Sequence, residues 1–471
     1  MRIFFEPGNI AVIGATPNSN KGGHTILQNL LHGYRGGIFP VNPNYRDISG
    51  LPCYPSVREI PAAVELAIVF IPAVQVPEAV EQCAEAGIPG VIVESGGFAE
   101  IGAAGKLLQE RLRALALGKG IRIWGPNCMG LVDAVRGYAF SFREAKFLDL
   151  DFIRGNVSLV VQSGMLSAGF LLDIASNRIM GISKACSIGN KVDINESDVL
   201  DYLVKDEATA VIGLYLESIA EPRRFLALCS KTDKPIVVLK GGRSAKGAQA
   251  AMSHTASLAG NSRIVQGALR QAGIVEADDF RQMIDLCRSL SLYPRPNRGG
   301  KVAVLTYSGG AGIVTTDFLD KHQLALSELE KTTRDNLKKL FPDWMPVENP
   351  VDLWPAVEKH LGTNTDVFAE SVEIVLKDPH VDAVVLHALS GNFGGKLDLG
   401  RIGSLSRAAG KPVFVWIVGT REEAFLLQTE ARNAGLALFL EIGRAVECLA
   451  AVLKRAGTAG ALKGFQTIAA A

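Results

Sequence analysis

The chain has 471 residues, enough for about three ordinary domains. Its 49 Lys plus Arg against 48 Asp plus Glu exclude a global field for nucleic acid or an anionic membrane, so any anion site must be local. Seven cysteines, odd in number and without a C-x-x-C pair, exclude a disulfide framework and read as reduced thiols of a cytoplasmic protein, and only 21% charged residues predict buried parallel sheets and a subunit interface.

Met1 to Ile13 lacks the basic start and cleavage site of a signal peptide, and no apolar run is long enough to span a bilayer. Residues 1–130 read as one doubly wound α/β unit. Strands are expected at 9–14, 37–41, 66–71, 90–94 and 121–124, with helices at 25–34, 76–86 and 103–117 between them. Three small-residue loops leave the carboxyl ends of these strands: Gly14 to Gly23, Glu94-Ser95-Gly96-Gly97-Phe98 and Gly125-Pro126-Asn127-Cys128. The first could cradle phosphates with backbone N–H groups, but its spacing is not G-x-G-x-x-G. The second strand ends in Val41-Asn42-Pro43-Asn44, without the acid that a nicotinamide dinucleotide requires, which argues against an oxidoreductase.

Residues 131–155 are less regular and read as a connection. A second domain, 156–293, opens on the strand Asn156 to Gln162 and runs through Ser163-Gly164 into a helix whose start offers an anion site. Further strands are expected at 182–188, 210–216 and 235–239, with the loop Gly189-Asn190-Lys191 and a helix at 196–205. Glu217 ends an otherwise apolar strand. The stretch 240–260 then carries His254 in a Gly/Ala/Ser loop that looks built to move, followed by a helix from 261 to 272. Imidazole is a nucleophile near neutral pH and suits phosphoryl transfer, while Glu217 could orient it through the other ring nitrogen. Residues 294–300 read as a linker. The third domain, 301–456, repeats the strand–Ser-Gly–helix layout and offers no evident nucleophile; His387 reads as a core residue, and 457–471 as a frayed tail.

In this order, Pro40-Val41-Asn42-Pro43, Ser95-Gly96-Gly97-Phe98-Ala99-Glu100, Gly125-Pro126-Asn127-Cys128, Gln162-Ser163-Gly164, Ser187-Ile188-Gly189-Asn190, Leu216-Glu217, Ser253-His254-Thr255 and Asn349-Pro350-Val351-Asp352 resemble the nucleoside-diphosphate-forming acyl-CoA synthetases, relatives of succinyl-CoA synthetase, and among them the α subunits of ADP-forming acetyl-CoA synthetases. The resemblance implies a Rossmann-like CoA-binding domain followed by two flavodoxin-like domains. It places CoA against Gly14, Ala15, Thr16, Lys21, Gly22, Val41, Asn42, Pro43, Ile71, Pro72, Ser95, Gly96 and Asn127. Asn44 stands where many relatives carry a basic residue, so Lys21 or Arg46 would supply that contact.

It further implies phosphate at Ser163, Gly164 and Asn190, a phosphohistidine at His254 and Glu217 as its partner. The reaction interconverts acyl-CoA, ADP and phosphate with free acid, CoA and ATP. An ATP-grasp module of roughly 200 residues, more than one ordinary domain, is missing from the reading. A separate β subunit holding ADP and Mg²⁺ in an α2β2 assembly is therefore expected. No metal site, nucleic-acid partner or membrane is expected of this chain. A CoA-binding regulatory protein of the same fold is the alternative.

Overall fold

The computed structural model describes residues 1–143, 153–255, 262–293, 299–390 and 395–466, with the backbone alone at 165, 251–255 and 455–466. Its contacts divide the chain into two compact units, Met1–Ser176 with Met180–Met283, and Asn177–Ile179 with Ile284–Ala471.

The first unit holds two sheets. The strands Asn9–Ile13, Gly37–Val41, Leu66–Val69, Gly90–Val93 and Arg122–Trp124 are short apolar runs that alternate with helices and therefore pair in parallel. Laterally the order is Gly37–Val41, Asn9–Ile13, Leu66–Val69, Gly90–Val93, Arg122–Trp124. The second sheet runs Val275–Ala277, Ile236–Lys240, Val211–Leu216, Arg154–Val161, Ile182–Ser187 in parallel, then Leu131–Asp133 and Tyr138–Phe140 in antiparallel. Residues 131–140, read from the sequence as part of an irregular connection, are thus a hairpin that widens this sheet. Counted within each parallel set, both sheets follow the flavodoxin order 2-1-3-4-5, which puts the ligand crevice between the carboxyl ends of the first and third strands.

One apolar core runs through both sheets of this unit, from Phe4, Ile10 and Trp124 to Val160, Leu214, Ile236 and Ile274. Its polar seams are satisfied: Trp124 Nε1 donates to the Ser187 carbonyl at 2.7 Å, and Arg122 and the Ile123 amide both donate to Asp193 at 2.8 Å.

The segment 241–253 differs from its sequence reading. Ala245–Thr255 is helical, because Ala-Lys-Gly-Ala-Gln-Ala-Ala is rich in helix formers and Ser244 caps it, its Oγ accepting from Gly247 N at 3.0 Å. Residues 256–260, the rest of the expected loop, and 261, the expected start of the next helix, lie outside the described residues.

The second unit has its own core and a third sheet in the same 2-1-3-4-5 order, Ala325–Leu326, Lys301–Thr306, Ala383–Leu389, Val413–Val418, Ala437–Phe439, with Val351–Asp352 beside Lys301–Thr306. The helix Ile442–Gln466 runs well into the stretch read as a frayed tail. His387 is buried between Thr306 Oγ1 at 2.9 Å and Thr315 Oγ1 at 3.0 Å, and burial lowers its pKa to about 4. No helix among the described residues is long and apolar enough to cross a membrane.

Candidate active site

The first rim is built where the strands of the first sheet end. Gly14 has φ +92°, and a Cβ there would meet the Phe70 carbonyl at 2.4 Å. Gly23 packs so tightly that a Cβ would sit 2.0 Å from the Gly14 carbonyl. The turn over Ala15 and Thr16 then enters the helix Gly22–Gly33, whose N-cap, exposed Lys21, provides no side-chain cap. With no acid in that first turn, the free N–H groups and Lys21 can take an anion.

Asn42 ties this turn to the second strand, donating to the Ala15 carbonyl at 2.8 Å while its Oδ1 accepts from Asn44 N at 3.0 Å. Val41 closes the same corner by accepting from Gly14 N at 3.0 Å, and Pro43 stands exposed beyond it. Ser95, nearly buried, accepts from Ile71 N at 3.1 Å, which fixes the turn at Ile71 and Pro72. Asn127 donates its backbone N–H to the Ser95 carbonyl at 2.9 Å, and a Cβ on Gly96 would lie 3.2 Å from Asn127 Oδ1. The expected CoA residues therefore share one rim, several of them as struts that shape it.

Asn190 is placed differently from its sequence reading as a phosphate ligand. Its Nδ2 donates to Glu100 Oε2 at 2.7 Å and Gln109 Oε1 at 2.9 Å, and its Oδ1 accepts from Asn127 at 3.3 Å, so its amide is spent joining the two sheets. Burial works against the Glu100 charge, but the Asn190 amide and the Phe98 and Gly97 N–H groups outweigh it and hold this carboxyl below its usual range.

The second rim lies at the switch point of the second sheet, where Gln162-Ser163-Gly164 leaves Arg154–Val161 and Glu217-Ser218 leaves Val211–Leu216. The helix Gly164–Asn177 begins here, and a Cβ on Gly164 would lie 3.7 Å from Met129 N, so this start adjoins the loop after Asn127. Gln162 Oε1 accepts from Glu217 N at 2.8 Å and Ser218 N at 3.1 Å. From the other side Lys240 Nζ donates to the Glu217 carbonyl at 2.6 Å, and Lys191 Nζ donates to the Ser218 carbonyl at 2.9 Å and to Glu196 Oε2 at 2.8 Å.

Glu217 is itself 4% exposed. Its Oε1 receives only a long bond from the Tyr215 hydroxyl at 3.4 Å, and its Oε2 is buried with no partner among the described residues. An open buried carboxylate oxygen is costly unless a donor arrives. The helix Ala245–Thr255 passes beside the turn Ala99–Ile101 that follows the Ser95 loop, with Cα atoms within 8 Å. His254 lies in the last turn of that helix; its side chain is outside the described residues.

Gln162, Lys191, Glu196 and Lys240 were not singled out by sequence reasoning, although two lysines next to strand-end loops in a sparsely charged chain were a usable signal. Glu94 is another. Buried at the root of the Ser95 loop, it accepts from Phe142 N at 2.8 Å through one oxygen and has no partner at the other among the described residues. Burial raises its carboxyl pKa well above the ordinary range, against the Phe142 hydrogen bond. Among the described residues no group of three or more His, Cys, Asp or Glu could hold a metal ion.

These features define an α/β protein with two strand-end rims in one unit, and comparison with known proteins agrees with the two domains that carry them. Residues 8–134 match the CoA binding domain family, and residues 154–290 match the succinyl-CoA ligase like flavodoxin domain. The chain is 36% identical over 459 residues to acetate–CoA ligase [ADP-forming] II of Archaeoglobus fulgidus, covering 97% of this chain and 67% of that one. It is 35% identical to the subunit alpha of acetate–CoA ligase [ADP-forming] II of Pyrococcus furiosus, covering 87% and 88%. The dinucleotide-forming acetyl-coenzyme A synthetase 1 of Ca. Korarchaeum cryptofilum, solved with phosphate and ADP, superposes with a TM-score of 0.85 at 32% identity over 98% and 97% of the two chains. The chain belongs to the ADP-forming acetate–CoA ligase family of succinyl-CoA ligase-like enzymes. Membership favours a ligase subunit over a non-catalytic CoA-binding protein of the same fold.

Proposed function

We propose that this chain is the α-type subunit of an ADP-forming acid–CoA ligase that carries the phosphoryl group on His254. The observation that carries the reading is Glu217: a buried carboxylate at the crevice of the second sheet, with one oxygen open among the described residues, on a residue whose backbone carbonyl Lys240 ties to that of Gly241, where the segment bearing His254 begins. CoA lies along the first rim, its phosphates against the uncapped helix start at Gly22 and against Lys21. Phosphate lies at the helix start formed by Ser163 and Gly164.

A phosphate oxygen attacks the thioester carbonyl, the C–S bond breaks, and CoA leaves as the thiol after taking a proton. The acyl phosphate then gives its phosphoryl group to a ring nitrogen of His254: the N–P bond forms, the P–O bond breaks, and the carboxylate departs. Glu217 accepts a hydrogen bond from the other ring nitrogen and offsets the imidazolium charge. The helix Ala245–Thr255 is the element that carries the group onward to ADP. ADP and Mg²⁺ belong to a separate ATP-grasp β subunit in an α2β2 assembly, a reading supported by the extent this chain shares with a relative named as an alpha subunit. The substrate is a small carboxylic acid or its CoA thioester, and the setting is cytoplasmic.

The test is intact mass of the full chain after incubation with acetyl-CoA and phosphate, alone and in the assembly isolated from its own cells, beside His254→Ala. An acid-labile gain of one phosphoryl group in wild type, absent in His254→Ala with CoA binding kept, is expected. No adduct in either preparation overturns the reading.

A further inference from the structure

Lys240 is buried at the carboxyl tip of Ile236–Lys240, laterally beside Leu216 on the strand that ends in Glu217. Its ammonium donates to two backbone carbonyls, Glu217 at 2.6 Å and Gly241 at 2.5 Å. No carboxylate among the described residues lies within ion-pairing distance of it. The contrast with its neighbour is instructive. Lys191 makes a comparable grip on Ser218, but its charge is cancelled by Glu196 at 2.8 Å. Among the described residues, Lys240 is thus a buried cation at the tip of this sheet held by backbone carbonyls alone, with no direct ion pair.

A strut between two strand ends does not require that charge. A neutral amide could donate to the same carbonyls without the desolvation that burying an ammonium costs. Burial, the neighbouring Lys191 and Arg243 all act against the charged form of Lys240, and only Glu217 favours it. The same crevice must also hold, at a later stage, much more negative charge. A phosphoryl group adds about two negative charges, and it would arrive beside Glu217, whose carboxylate repels it.

We infer that Lys240 is the built-in counter-charge for the phosphorylated form of the enzyme, binding the phosphoryl group's charge when it sits on His254 beside Glu217. The inference rests on the reading of His254 as the carrier. Before phosphorylation, the two carbonyls hold the ammonium in place, so no side chain has to reorganise when the anion forms. Gly241, the residue gripped by Lys240, starts the segment that carries the anion, so the cation is fixed to the root of the part that moves.

The experiment compares Lys240→Gln, which keeps a donor for the carbonyls but has no charge, with Lys240→Arg, which keeps both, in the assembly isolated from its own cells. The readouts are the phosphohistidine fraction formed from acetyl-CoA and inorganic phosphate, the KM for phosphate, and the Kd for CoA. Lys240→Gln is expected to lower the phosphohistidine fraction and raise the KM for phosphate about tenfold or more, with CoA binding within about twofold, while Lys240→Arg stays within about threefold of wild type. Normal phosphohistidine and phosphate KM in Lys240→Gln overturn the inference and leave His254 as carrier. Loss of CoA binding together with phosphorylation in Lys240→Gln assigns the residue to the scaffold and also overturns it. Absence of phosphohistidine in wild type overturns the His254 reading, and this inference falls with it.

Discussion

Replacing Lys191 by Met should expose how the second rim is held. Lys191 is 5% exposed and Glu196 is 0% exposed at the side chain, and their 2.8 Å contact is a fully desolvated ion pair. Removing the ammonium leaves the Glu196 carboxylate in the interior with, among the described residues, a single remaining donor, the Ala220 amide at 2.5 Å. Breaking one side of such a pair costs about 3–5 kcal/mol, and because Ala220 still serves the acid, the low end applies, about 3 kcal/mol. In a unit of this size that is a fall in Tm of roughly 5 °C.

The double variant Lys191→Met with Glu196→Gln removes the stranded charge and should recover about 2 kcal/mol of that loss. Urea unfolding followed by fluorescence and circular dichroism supplies the free energies, and the m value must stay constant for them to be compared. The phosphohistidine fraction should fall in the single variant as well, because the Ser218 carbonyl loses the cation that fixes it beside Glu217. A single-variant cost under about 1 kcal/mol, or a double variant no better than the sum of its parts, would refute the account of Lys191 as a paired grip on this loop.

Gly23→Ala puts a methyl 2.0 Å from the Gly14 carbonyl and should cost about 1–3 kcal/mol and weaken CoA binding at least tenfold, measured by calorimetry; unchanged binding would show that the first loop does not touch CoA. Glu94 keeps its proton in the folded chain above the ordinary carboxyl value of 4.5, so the wild type loses stability as pH rises through that value. Glu94→Gln should match wild type near pH 4 and gain on it at higher pH; parallel curves would place a charged carboxylate there. His387, neutral in the fold down to about pH 4 against an ordinary value of 6.5, makes the second unit lose stability as pH falls from 6.5 towards 4, and a ring titration followed by NMR near 6.5 would contradict this.

The alternation of apolar strands and helices was legible in the sequence, because parallel strands buried on both faces read as runs of Val, Ile and Leu. Glu217 was legible for the opposite reason, a lone acid at the end of such a run. Local composition misled at 241–253, where small residues look loose but Ala-rich stretches after a Ser cap form helix. The phosphate role of Asn190 was implied by the family resemblance alone; the bonds of its side-chain amide to Glu100, Gln109 and Asn127, 63 to 90 residues away along the chain, have no local trace. The hairpin Leu131–Asp133 and Tyr138–Phe140 was hidden because its strands are three residues each and it is held to the sheet by the pairing of Leu131–Asp133 with Ile182–Ser187.

The core shared by the two sheets of the first unit bears on how this part of the chain melts. Trp124 belongs to the last strand of the CoA-type sheet, yet its indole is hydrogen-bonded to Ser187 and its ring lies in the same cluster as Val160 and Leu214. Segments that share one interior cannot lose it separately. Although residues 8–134 and 154–290 match two different families, calorimetry should find one cooperative transition for them, and a fragment cut between them should be insoluble on either side of the cut.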